Sequence, residues 1–174
     1  PYYVDRINGQ DSIVANGDKY RQVHSGYSQY DVLQKFAFKQ NEHVLHGVNL
    51  QFSNSTDIPR YDRLTDQAGG TLRYGDWYYG PQTRMMGAYD LNINSAASFF
   101  QQIHAGINYQ GIEESRHNRN YKSSSLSHRM ENVNVAGLNI DLQRTVNAHV
   151  IRIGLDGQYN TLKSTAQKEN ITTE

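Results

Sequence analysis

Arg84-Met85-Met86-Gly87-Ala88-Tyr89-Asp90-Leu91-Asn92-Ile93 places Met85, Gly87, Tyr89, Leu91 and Ile93 on one parity and Arg84, Met86, Ala88, Asp90 and Asn92 on the other. A period of two marks a strand with one dry face and one wet face. The template recurs along the chain. Upstream, Tyr30, Val32, Phe36 and Phe38 share a face that Gln34 interrupts, opposite Asp31, Lys35 and Lys39. Val44, His46, Val48, Leu50 and Phe52 alternate with Leu45, Gly47, Asn49, Gln51 and Ser53. Downstream, Ile103, Ala105, Ile107 and Tyr109 alternate with polar or small residues, as do Ala136, Leu138, Ile140 and Leu142, and Ile151, Ile153, Leu155, Gly157 and Tyr159. Six segments fit the strand template and none fits the helix template. One breaks phase: Val133 and Val135 lie on the opposite parity from Leu138, Ile140 and Leu142. Either a bulge near Ala136–Gly137 resets the face, or the valines point to the wet side; a glycine at the parity change favours the bulge.

Composition narrows the classes further. The 174 residues hold 17 Lys+Arg against 17 Asp+Glu and no Cys. Balanced charge lacks the basic footprint of a nucleic-acid binder, and a cysteine-free chain has no disulfide framework or Cys-based zinc site. No apolar window approaches the length of a membrane helix. Only 37% of residues are hydrophobic, yet 13 are Tyr, which argues against a disordered chain. Strands with one wet face account for both numbers.

The joins expected between segments are short (40–43), long (54–81), short (94–98), long (113–129) and short (145–148). A polar tail follows from Ser164, and a long polar stretch, 1–27, precedes the first strand. In an antiparallel meander this alternation puts the long loops at one end, the asymmetry of bacterial outer-membrane barrels. A soluble sandwich also has one apolar face. The runs here, however, extend over about ten residues, the length of a tilted membrane-crossing strand. Phe38 and Phe99–Phe100 flank short turns, while Phe52, Tyr79, Tyr109 and Tyr159 lie toward the long-loop ends, as two interfacial girdles require. Six strands fall short of the roughly eight needed to close such a barrel. The chain opens and stops in loop-like sequence without a signal peptide, so the natural protein is expected to continue on both sides.

Short phrases then point to a family. Ser25-Gly26-Tyr27-Ser28-Gln29-Tyr30-Asp31 with Leu33-Gln34-Lys35 resembles an early barrel strand of TonB-dependent outer-membrane receptors. So do Asn54-Ser55-Thr56-Asp57-Ile58-Pro59-Arg60-Tyr61-Asp62, Asp76-Trp77-Tyr78-Tyr79-Gly80-Pro81-Gln82-Thr83-Arg84 and Ile112-Glu113-Glu114-Ser115-Arg116-His117. The likeness runs over nearly the whole chain and is nearest to receptors for haem, siderophores and cobalamin. It implies an all-β, antiparallel up-and-down meander forming part of a 22-stranded transmembrane barrel around a plug domain. Long loops would be extracellular and short turns periplasmic. Residues 1–174 would be a segment of the barrel's first half, without the plug. The partners implied are the outer-membrane lipid, the plug with the rest of the barrel, and, through the plug, the inner-membrane TonB complex that powers import. Haem, a ferric siderophore or cobalamin would be cargo rather than a resident cofactor.

Candidate ligand contacts are Arg60, Tyr61, Arg63, Trp77, Tyr78 and Tyr79 in the first complete long loop, with Arg73 and Tyr74 beside them. Aromatic faces suit flat ligands and arginines suit carboxylates or chelate anions; the bland alternative is a loop packed on itself with an aromatic anchor. His117 and His128, expected in the second long loop, could reach a haem iron, with His24 a weaker third. No metal-site spacing accompanies the histidines. Asp31, Lys35, Arg84, Asp90, Arg152 and Asp156 all fall on the wet face and read as barrel wall rather than acid–base machinery. Neighbouring Glu113 and Glu114 would face opposite ways on a strand, unlike a catalytic pair. No enzyme is expected. The rival readings are a soluble β-sandwich binding or adhesion module that recognises glycan, and a passive porin-like channel.

Overall fold

The computed structural model describes residues 2–171. Strands β1 (Tyr2–Ile7) and β2 (Gln10–Ala15) form a hairpin, followed by the long strands β3 (Gln29–Lys39) and β4 (Val44–Ser55). Five short elements come next: β5 (Ile58–Pro59), α1 (Tyr61–Leu64), β6 (Gln67–Ala68), β7 (Thr71–Leu72) and β8 (Tyr74–Tyr79). The remaining strands are β9 (Thr83–Asn94), β10 (Gln102–Asn120), β11 (Ser125–Val146) and β12 (His149–Asn170). The chain is all-β, and its six long strands form an antiparallel meander, β12-β11-β10-β9-β4-β3, in which every neighbour in space is the next long strand in sequence. Strand β8 adds to the upper part of β10, where β9 has ended. The outer sides of β3 and β12 are free edges of the sheet.

Register turns the alternation of each segment into a sheet-wide sorting. Phe36, Val48, Tyr89, Ile107, Leu138 and Gly157 form one cross-strand row, and Phe38, His46, Leu91, Ala105, Ile140 and Leu155 form the next row on the same face. The opposite face carries Lys35, Asn49, Ala88, Asn108, Gly137 and Gln158, then Ala37, Gly47, Asp90, Gly106, Asn139 and Asp156. Flat amides alternate there with residues that have little or no side chain. A Cβ on Gly106 would strike the side chain of Asn139, and one on Gly137 the side chain of Asn108, so these glycines let the amides lie flat and keep the wall low in relief.

Among the described residues nothing packs on the apolar face. Ile107 is 56% exposed and Ile153 55%. The buried cluster lies elsewhere: Tyr3, Tyr61, Leu64 and Trp77 pack beneath the connection between β4 and β9, at one end of the meander. The hairpin of β6 and β7 in that connection turns through Gly69 and Gly70, both at positive φ, a conformation that favours glycine.

Three expectations are corrected. No bulge occurs at Ala136–Gly137: pairing runs unbroken from Gln102↔Gln143 to Arg119↔Leu126 on one side of β11, and along all of β12 on the other. Val133 therefore faces Ile112 and Leu162 on the second face. Beyond Tyr109 the first face becomes polar (Glu113, Asn132, Lys163), so the parity change records a change of surroundings along a regular strand. The expected long loop 113–129 is mostly strand, closed by the turn 121–124 with Lys122 at φ 58. The expected polar tail from Ser164 pairs with β11 as far as Asn170. Both segments read as loop or tail because polar residues occupy both faces of the ribbon they build.

Candidate functional site

The end of the meander that bears the β4–β9 connection gathers most of the aromatic and basic side chains, and β8 divides them. Pairing sets Tyr79 opposite Arg116, Tyr78 opposite His117 and Trp77 opposite Asn118. Successive side chains of a strand point to opposite faces. Trp77 and Tyr79 thus fall on the face of the polar wall, and Tyr78 on the other.

On the wall side Trp77 is buried and meets Tyr79 edge-on, centroids 4.7 Å apart. The guanidinium of Arg60 lies 5.5 Å from both ring centroids, and that of Arg63 lies 5.5 Å from Trp77. Arg60 donates to both oxygens of Asp62 at 2.8 and 2.7 Å, and Arg63 donates to Asp66 at 3.2 Å. The Arg60 hydrogen bonds outweigh the effect of burial and hold the Asp62 carboxyl below its usual range. Tyr61 is buried, packs on Tyr3 at 5.5 Å and accepts a 2.7 Å hydrogen bond from Asn16 Nδ2. Arg60, Arg63, Trp77 and Tyr79 therefore form one cation–π cluster, with Tyr61 as its footing. Arg73 covers Tyr74 at 4.8 Å.

On the other face Tyr78 stacks on His117, centroids 4.6 Å apart and planes 18° from parallel. Burial pushes the Tyr78 phenol up. His117 and His128 are a cross-strand pair with Nδ1 atoms 2.6 Å apart. The Gly80 carbonyl lies 3.1 Å from His117 Nε2 and can only accept, so that nitrogen carries the hydrogen. His117 Nδ1 then accepts from His128 Nδ1, and His128 Nε2 faces Glu169 Oε2 at 3.1 Å. A proton added at His117 Nδ1 would set two N–H groups head to head. Burial first, and the neighbouring His128 second, hold His117 below the ordinary histidine value. Two nitrogens this close also stand nearer than two ligands of one zinc-like ion, which sit about 2.0–2.1 Å from the metal at a tetrahedral angle. Among the described residues no group of three His, Asp or Glu side chains is placed to hold a metal ion. His24 lies 3.5 Å from Asp5 and next to the Tyr3 ring, apart from this pair.

Because the folded value of His117 is depressed, the contact it makes is complete above the ordinary histidine value of about 6.5 and is lost as pH falls. Protection from hydrogen exchange around Gly80 and along 115–128, taken relative to the intrinsic rate at each pH, is expected to fall as pH drops from about 6.5 to about 5. The variant His117→Phe should lose most of that dependence. An unchanged pH profile in the variant would show that the pair is not the titrating element.

A third group was invisible in the sequence. Arg119 is 2% exposed and donates to both oxygens of Asp11 at 2.7 and 2.6 Å and to Asp76 at 2.5 Å. Asp11 also accepts from the backbone N–H of Lys122 at 2.6 Å. Burial alone would raise the Asp11 carboxyl; its hydrogen bonds to Arg119 and Lys122 reverse this and hold it low. The triad ties the hairpin of β1 and β2 to the tip of β10 and β11. No sequence signal joins residues so far apart.

No protein-family model matches the chain, and no curated protein is similar to it.

Proposed function

We propose that this chain is a wall segment of a TonB-dependent outer-membrane receptor that imports a scarce nutrient and carries out no chemistry of its own. The cargo would be an iron complex, such as haem or a ferric siderophore, or cobalamin. The observation that carries this reading is the face sorting of the meander. From Val44 to Phe52 and from Met85 to Ile93 every side chain of one parity is apolar, aromatic, Gly or His. Nine residues of strand rise about 27 Å, close to the roughly 25 Å apolar band of outer-membrane barrels. A soluble sandwich would bury this face against a second sheet, whereas here it is open. In lipid the free edges of β3 and β12 require neighbouring strands, since each unpaired backbone group costs several kcal/mol there; further strands of a 22-stranded barrel would supply them. The low-relief polar wall suits close approach of a plug domain. The cation–π cluster of Arg60, Arg63, Trp77 and Tyr79 lies at the end that would be extracellular and offers aromatic faces to an incoming ligand.

Spin labels at Val48, Leu50, Ile93, Ile107, Ile140 and Ile153 in reconstituted membranes test the reading. Collisions with lipid-dissolved oxygen should dominate at these six sites, and collisions with a water-soluble nickel chelate at Asn49 and Ala88. Absence of lipid exposure at the six would reject the receptor and favour the glycan-binding sandwich.

A further inference from the structure

Above the apolar band, the wall face of β10 and β11 holds two like-charged pairs in succession. Glu114 stands opposite Glu131, and the next same-face pair sets Arg116 opposite Arg129. Like charges directly opposite on a sheet destabilise it, and here two such pairs are adjacent. Exchanging Glu114 with Arg116 on the same strand would give two favourable pairs with the same composition. Nor do the four neutralise one another. Among the described residues none of them forms an ion pair, whereas Arg60, Arg63 and Arg119 at the same end each hold a carboxylate. The four side chains, with Tyr79 and Ser115, line an open depression of about 150 Å³. That volume admits a small charged group and not a whole drug-sized ligand, which needs about 300 Å³ or more.

We propose that this quartet is a subsite for a zwitterionic group: Arg116 and Arg129 clamp a carboxylate, Glu114 and Glu131 take an ammonium, and Tyr79 covers the atoms between. Two guanidiniums facing each other can share one carboxylate, each donating N–H groups to a different oxygen. Two carboxylates facing each other can share the three donors of one ammonium. A simple anion would gain from the arginines but meet the glutamates one step along the strand, and a simple cation the reverse. A ligand carrying both charges a few ångströms apart satisfies both pairs and relieves both repulsions. The subsite does not depend on the transport reading, because a soluble module would present the same four side chains.

Glycylglycine, N-acetylglycine and glycinamide serve as probes with both charges, the negative charge alone and the positive charge alone. Titrated into the intact protein in detergent, glycylglycine should bind saturably in the millimolar range, the scale open to so few atoms, and shift the Nε–Hε resonances of Arg116 and Arg129. The other two should bind at least about tenfold more weakly, a factor worth roughly one lost charge-assisted contact. Arg116→Gln with Arg129→Gln, and separately Glu114→Gln with Glu131→Gln, should each weaken glycylglycine by at least about tenfold. Both exchanges remove a repulsion at an open surface, and Glu→Gln also keeps size, so the fold is expected to survive, with Trp77 fluorescence as the check. Equal binding of glycylglycine and N-acetylglycine, no saturable binding, or unchanged binding in either double variant would overturn the proposal.

Discussion

Replacing Arg119 by Met is expected to detach the hairpin of β1 and β2 from the sheet. Arg119 is almost fully buried, and the Asp11 side chain it holds is 3% exposed. Removing one partner of a buried pair strands the other charge without water, at a cost of about 3 kcal/mol or more. The hairpin is otherwise held by the burial of Val4, by Tyr3 packed in the cluster with Tyr61, Leu64 and Trp77, and by the Asn16–Tyr61 hydrogen bond. Amides of 2–15 should lose exchange protection, and trypsin should cut at Arg6. Adding Asp11→Asn to Arg119→Met should restore part of the loss, because the stranded charge is gone. Wild-type protection of 2–15 in Arg119→Met would show that packing alone holds the hairpin. Acid probes the same contact. The folded Asp11 value is depressed, so its contribution is complete above the unfolded value of about 3.9 and disappears as pH falls below it. This window is well separated from that of His117.

Replacing Ile107 by Arg tests the membrane reading at the centre of the band. Ile107 lies in the row with Val48 and Tyr89, midway between the ends of the apolar run. An arginine at the bilayer midplane of a barrel's lipid face costs about 2–4 kcal/mol. Gln158→Arg, on the polar wall, should stay within about 0.5 kcal/mol of wild type. Urea titrations in lipid vesicles, followed through Trp77, the sole tryptophan, give both values. Equal costs for the two substitutions would remove the asymmetry on which the receptor proposal stands.

The long strands were legible wherever one face is apolar. Val44–Phe52 and Met85–Ile93 announce both their element and their sides, because one parity is apolar throughout and the other is free to be polar. Where β10, β11 and β12 continue past Tyr109 and Tyr159, both faces carry polar residues and selection by parity stops. The segments 113–129 and 164–170 consequently looked like loop and tail. Val133 and Val135 misled for a related reason: apolar side chains on the second face made a regular strand look slipped. Of the candidate contacts, Arg60, Arg63, Trp77 and Tyr79 do meet, since they sit close together in one connection. Tyr78 joins His117 and His128 on the other face, a division that only the registration of β8 on β10 decides. The partners of Arg119 and the facing of Glu114 with Glu131 depend on which strand lies beside which, and alternation within a strand carries no information about that.

At 22 residues each, β11 and β12 are about twice the length that crosses a bilayer. On the proposed receptor reading, with the band ending near Tyr159, the eleven residues that follow rise about 36 Å further. The paired ribbon would then stand clear of the lipid headgroups like a mast, with the turn at 121–124 at its tip. A large molecule approaching the cell from outside would touch this mast before it met the membrane.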